Sequence, residues 1–180
     1  MSLIGGFCRV LIWPMHSAQN SPAALVAELN ALAAGAGTAA ELMSQVAEKL
    51  NRSLVRYNWV GFYTMEDGVD GERVLVRGPH AGTIATFLEI SLSRGVCGAA
   101  ASSGETILLN DVAEDSRYIS RDLSTQSELV VPFSVDGQVA GILDVSSHFP
   151  QAFTNDDRML CESAAHLVGD FIAKFGHRAA

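Results

Sequence analysis

The sequence predicts an α+β domain in which helices at both ends of the chain pack on one face of an antiparallel sheet. Three features carry this. The chain opens and closes on amphipathic helical segments, its middle switches to two-residue alternation, and a strand pair meets across Asp136-Gly137, a strong hairpin signal. The chain of 180 residues, 48% apolar and 18% charged, suits one globular domain able to bury its own core.

Each element has a local reason. Ser21-Pro22 places a capping hydroxyl before a proline at the first helical position, and Leu25, Val26, Leu29 and Leu32 follow before Gly35 and Gly37 end the helix. Thr38 with Glu41 reads as a capping box for a second helix to about Leu54, with Leu42, Met43, Val46 and Leu50 on its apolar stripe. Asn58 to Met65 is aromatic and β-branched and reads as a strand; Glu72 to Arg77 returns after the Asp67-Gly68 and Asp70-Gly71 turn signals. Phe87 to Leu92 and Thr106 to Leu109 are short strands flanking a small-residue helix, Val96 to Ser103, that Gly104 stops. Asp111 to Gln126 is a long polar connection of the kind that carries function in compact domains. Glu128 to Val135 and Val139 to Ser146 form the hairpin. Thr154 starts the last helix, whose Leu160, Ala164, Leu167, Val168, Phe171 and Phe175 share one face up to Gly176. Residues 21–176 are thus the domain, residues 177–180 a tail, and residues 1–20 an extension outside the fold, either disordered or upstream of a natural start at Met15.

Composition narrows the function classes. The net charge of −8, with Lys and Arg scattered, lacks the basic stripe that a nucleic-acid binder uses and disfavours anionic membranes. No apolar run reaches the roughly 20 residues that span a bilayer. The three cysteines, Cys8, Cys97 and Cys161, are odd in number and far apart, which fits reduced thiols in the cytoplasm better than a disulfide framework. Neither they nor the five histidines show metal-ligand spacing, so no metal and no cofactor are expected.

Several motifs then fall in a recognisable order: Asn58-Trp59-Val60-Gly61-Phe62-Tyr63, Ser93-Arg94-Gly95-Val96-Cys97-Gly98-Ala99-Ala100, Asp111-Val112, Ser127-Glu128-Leu129-Val130-Val131-Pro132-Phe133 and Gly141-Ile142-Leu143-Asp144-Val145-Ser146-Ser147. Together they resemble the GAF domains, and within them the free methionine-(R)-sulfoxide reductases. The resemblance implies a GAF fold with a small closed pocket on one side of the sheet. It implies that Trp59 and Tyr63 line the pocket and that Glu128 and Asp144 contact the polar groups of the ligand.

It also exposes departures. The family carries three cysteines, of which only the middle one matches, at Cys97. The first aligns at or beside Phe87. The third, usually assigned as nucleophile, aligns on Arg121, just before Asp122. The second aspartate of the family's last motif is replaced by Ser146. Sulfoxide reduction by thiols needs an attacking thiolate, a proton donor for the departing oxygen and a resolving thiol. The resemblance therefore implies a ligand-binding GAF protein whose reductase chemistry is lost or weakened. The alternatives are an active reductase using Cys97 with an external thiol or thioredoxin, and a homodimeric regulatory module paired through its terminal helices.

The residues leave some readings open. Cys97, at the start of the small-residue helix, is either a thiolate favoured by backbone N–H groups or a small buried remnant. Cys161 reads as a core cysteine. Glu128 is either buried and paired with Arg121 or Arg94, which would suit a carboxylate-bearing ligand, or an edge glutamate in solvent. Asp144 faces the pocket if Leu143 and Val145 face the helices; otherwise it is a solvent position. Trp59 and Tyr63 share a face, as pocket or as core. His80, beside Pro79, is either a solvated loop residue or a contact at the pocket mouth.

Overall fold

The computed structural model of the chain describes residues 21–69, 71–83, 87–120 and 122–176. The expected extension with Cys8, the tail and Arg121 lie outside the described residues.

Helix α1 (Pro22–Gly35) starts as read, with the Ser21 hydroxyl accepting the Ala24 N–H. In α2 (Ala39–Ser53) the Thr38 hydroxyl accepts the Glu41 N–H. The Glu41 carboxylate, however, accepts from Gly37 N–H rather than from the capping residue, so the reciprocal box lands one residue further back. Strands β1 (Trp59–Asp67), β2 (Arg73–Gly82) and β3 (Glu89–Ser91) come next, then α3 (Gly95–Ser103) and β4 (Ile107–Leu109). The polar connection holds one short 3-10 turn, Val112–Glu114. The hairpin of β5 (Ser127–Val135) and β6 (Gln138–Ser147) leads to α4 (Asn155–Phe175), where Thr154 and Asp157 make the full capping box.

The strands form one antiparallel sheet in the order β3-β2-β1-β6-β5-β4. Strand β2 runs past the expected end at Arg77. The register of β1 on β2 shifts between Gly61 and Tyr63, leaving an extra residue in β2 around Gly78-Pro79. A bulge tolerates proline because no ladder N–H is required there, so the strand continues and His80 lies in it, not in a loop.

Alternation sorts the side chains. Val60, Phe62, Leu129, Val131, Phe133, Leu143 and Val145 join the buried faces of α1, α2 and α4 in one large apolar cluster. The last helix is less wholly buried than its pattern implied: Leu167 is half-buried and Phe175 exposed. On the opposite face a smaller cluster joins Tyr63, Leu75, Ile90, Val130 and Ile142 to Val96, Cys97, Ala100 and Ala101 of α3.

Candidate functional site

The residues read as functional gather on that smaller face. Strand β1 pairs with β6 through Trp59 with Ser146, Gly61 with Asp144 and Tyr63 with Ile142. Strand β6 pairs with β5 through Ser146 with Glu128 and Asp144 with Val130. Period two therefore turns Trp59, Tyr63, Glu128, Asp144 and Ser146 to one side in adjacent rows. All five are buried. Glu128 is 2% exposed and Asp144 fully buried, so the solvent readings of both fall away. Strand β5 lies between β4 and β6, which is why Glu128 is not an edge residue.

Helix α3 closes this side, and two glycines set its geometry. A Cβ at Gly98 would sit 2.7 Å from the carbonyl oxygens of both Ser91 and Leu92, so only glycine lets α3 approach the end of β3. That approach places Cys97, the third residue of α3, fully buried against the sheet. The Cys97 Sγ and one carboxylate oxygen each from Glu128 and Asp144 lie within 4.8 Å of one another. At Gly61 a Cβ would meet the Trp59 indole at 2.7–2.9 Å, Nε1 among the atoms touched. The indole thus lies over Gly61, beside Asp144 across the ladder. Its Nε1–H is buried with no hydrogen-bond partner among the described residues.

The sequence offers His80 at the pocket mouth only as the alternative to a solvated loop, and it gives no signal for Asn58 as a residue that shapes this site. His80 stacks on Trp59 with ring centroids 4.7 Å apart and planes at 27°. The extension of β2 through the bulge, the only signal for it, was hidden by Pro79. Asn58 accepts the His148 N–H on its side-chain oxygen at 2.8 Å and donates its own N–H to the Ser146 carbonyl, tying the start of β1 to the end of β6. Arg94, a suggested partner for Glu128, lines a neighbouring cavity of about 80 Å³ with Phe87, Glu89, Ile90, Ser91 and Ile119. Arg121 itself is outside the described residues, but the chain is fixed directly after it. Asp122 accepts the Ser124 N–H and hydroxyl at 2.9 and 2.7 Å, and the Ser124 N–H holds its carboxyl below the usual carboxylate range.

Cys161 is the core residue expected. It lies in the helix-side cluster, its Sγ is 3.7 Å from the Tyr57 hydroxyl, and burial pushes its thiol up to about 12. The sheet separates it from Cys97, so it is no resolving partner. Among the described residues no helix is long and apolar enough to cross a membrane.

Comparison with known proteins places these features. A GAF domain family model matches residues 36–173. The chain is 35% identical over 130 residues to the free methionine-R-sulfoxide reductase of Escherichia coli, covering 72% of this chain and 75% of that one. The structure of free methionine-R-sulfoxide reductase from Neisseria meningitidis in complex with its substrate superposes with a TM-score of 0.81 at 25% identity, covering 91% of this chain and 95% of that one. The fRMsr of Staphylococcus aureus, in complex with substrate, gives 0.75 at 28% identity over 84% and 95% of the two chains.

Proposed function

The chain belongs to the GAF domain family, among relatives named free methionine-R-sulfoxide reductases, and from this premise we propose that it binds a small polar metabolite, methionine sulfoxide or a related amino acid, with the reductase chemistry lost or weakened. The observation that carries this is the buried constellation of Trp59, Tyr63, Glu128 and Asp144 on one sheet face, while Phe87, Arg121 and Ser146 stand where the resemblance expects reacting groups. Buried carboxylates and an indole N–H suit a ligand carrying both donors and acceptors. Arg121, if turned inward, would pair with these carboxylates and with the carboxylate of an amino acid. Substrate-bound structures of the relatives support a small-molecule ligand.

A second reading is favoured by the closeness of the Cys97 Sγ to two carboxylates. Attack of the Cys97 thiolate on the sulfoxide sulfur, with a carboxyl protonating the departing oxygen, transfers that oxygen to Cys97 and releases methionine. The resulting sulfenic acid would condense with an external thiol or thioredoxin, expelling water, and a second thiol would free Cys97. A homodimer through the terminal helices is part of the proposal. It is supported by the groove that Ala33, Ala36, Leu167, Phe171 and Phe175 line between the ends of α1 and α4.

The test is a thermal-shift screen with amino acids, their sulfoxides and cyclic nucleotides, run beside a turnover assay with free methionine-(R)-sulfoxide and dithiothreitol or thioredoxin. A stabilising shift with methionine sulfoxide, lost in Asp144→Asn and without turnover, supports the binder. Turnover abolished by Cys97→Ser supports the second reading. No shift with any of these compounds overturns the first.

A further inference from the structure

The residues brought together at the site also have a chemistry that linear spacing concealed. Cys97 comes from α3, Glu128 from β5 and Asp144 from β6, separated by 31 and 16 residues of sequence. Each is buried, and one ligand atom from each lies within 4.8 Å of the others. A thiol and two carboxylates that close are three potential negative charges in a site nearly free of solvent, an arrangement that a divalent cation neutralises well. A tetrahedral cation, with ligand bonds of about 2.0–2.3 Å, draws such a trio together with small side-chain adjustments.

From this the geometry points to a metal site: Cys97, Glu128 and Asp144 bind one borderline divalent transition cation of the Zn²⁺ class, leaving a fourth position for an oxygen ligand. A second observation is independent of the trio. The Trp59 Nε1–H is 99% screened from solvent by its residue's burial, lies over Gly61 beside Asp144, and has no acceptor among the described residues. A water or a metabolite oxygen in the fourth position supplies that acceptor. The donor set selects the metal. A thiolate disfavours Mg²⁺ and Ca²⁺, which take oxygen ligands, and three protein ligands with one open position are the pattern of exchangeable rather than structural zinc. Binding requires the thiol to be deprotonated, so metal uptake releases protons.

This inference shares its residues with the proposed metabolite site but does not depend on the ligand. Metal uptake is measured without metabolite, and the thermal-shift screen is run in a chelator, so either can fail alone. The experiment uses the full chain with Cys8→Ser, stripped with a chelator and titrated with Zn²⁺, Co²⁺ and Mg²⁺. The expected result is one equivalent of Zn²⁺, a thiolate-to-Co²⁺ charge-transfer band, and far weaker Mg²⁺ binding. Cys97→Ser abolishes the band, and Glu128→Gln weakens Zn²⁺ by more than the roughly 10–100-fold that loss of an outer-shell partner costs. Melting of each variant in chelator reports its folding. If Cys97→Ser does not fold, the Glu128→Gln affinity and the wild-type Co²⁺ spectrum decide. Absence of Zn²⁺ uptake by the wild type, uptake unchanged in both variants, or Mg²⁺ bound as tightly as Zn²⁺ overturns the inference.

Discussion

The two faces of the sheet are built on opposite rules. Beneath α1, α2 and α4 the filling is large and apolar, and the polar groups admitted there are heavily engaged. Asp157 is the example: its carboxylate accepts from the Thr154 N–H at 2.8 Å, the Thr154 hydroxyl at 2.7 Å and the Tyr57 hydroxyl at 2.8 Å, and it pairs with Arg56. Beneath α3 the helix brings Cys97, Gly98, Ala100 and Ala101, and a buried indole N–H goes without a partner among the described residues. One face maximises burial. The other keeps small side chains and polar groups where packing alone would favour leucine, the pattern expected where stability is yielded to a site.

The sharpest way to break this contrast is truncation on the helix-covered face. Phe62 is fully buried and meets Phe133 edge-on with centroids 6.2 Å apart. Phe62→Ala should cost about 3–5 kcal/mol by chemical denaturation, through lost transfer energy and the cavity left behind. Asp144→Asn, equally buried on the other face, should cost less than Phe62→Ala, because it keeps the side-chain volume and leaves no cavity, while removing the ligand-induced shift. A loss as large as that of Phe62→Ala would make Asp144 a structural residue and erase the distinction.

Next in size is Asp157→Asn, at about 2–4 kcal/mol, because the amide keeps a single acceptor oxygen: it removes the charge facing Arg56 and turns an NH2 donor toward either the Thr154 donors or the Tyr57 and Arg56 donors. Its pH dependence has a definite sign. Burial raises the Asp157 carboxyl, but the Thr154 N–H and hydroxyl, Tyr57 and Arg56 outweigh it and leave it below its ordinary value. The folded state therefore holds that proton less tightly than the unfolded chain. The stabilisation is complete above the unfolded value, about 3.9, and drains away as pH falls through the folded one. Denaturation at pH 7 and pH 3 should show this acid loss in the wild type, and a smaller loss in Asp157→Asn.

Much of this contrast was legible in the sequence, and the rest was not for physical reasons. Period-two alternation in β1, β5 and β6 is local information, and it put Trp59 with Tyr63 and set Asp144 against Leu143 and Val145. Capping residues are equally local, so Ser21, Thr38 and Thr154 marked helix starts correctly. Pro79 concealed half of β2, because whether a proline ends a strand or sits in a bulge depends on the partner strand. The approach of Cys97 to Glu128 and Asp144 depends on how α3 docks. That rests on contacts between Gly98 and the carbonyls of Ser91 and Leu92, which no spacing rule contains. The single-residue displacement of the Glu41 box shows the same limit on a smaller scale.

A subtler probe of the site face is Gly61→Ala. The new methyl would meet the Trp59 ring at 2.7–2.9 Å, so the indole must tilt at a cost of about 1–3 kcal/mol. In a Trp13→Phe background Trp59 is the remaining tryptophan, and its emission should move to longer wavelength as the ring loses its buried stack with His80. Emission unchanged from the parent would mean that Gly61 does not hold the indole in place.

The smallest effect belongs to the rim between the two faces. Glu162 accepts from Arg158 Nε and from the Thr106 hydroxyl, each at 2.8 Å, joining α4 to the start of β4. Burial, the largest single influence, raises its carboxyl, but Arg158 and Thr106 together outweigh it and leave it lowered. Both charged partners are half-exposed, so the ion pair is worth only about 0.3–0.5 kcal/mol and is screened by salt. The Thr106 hydrogen bond is shorter in range and less sensitive to ions. Glu162→Ala should therefore cost about 0.5–1 kcal/mol at low salt. In about 0.5 M salt the difference between variant and wild type should shrink by the Arg158 share and then stop shrinking. Complete loss of the difference at high salt would leave the Thr106 contact without weight, and α4 would be held at this end of β4 by apolar packing alone.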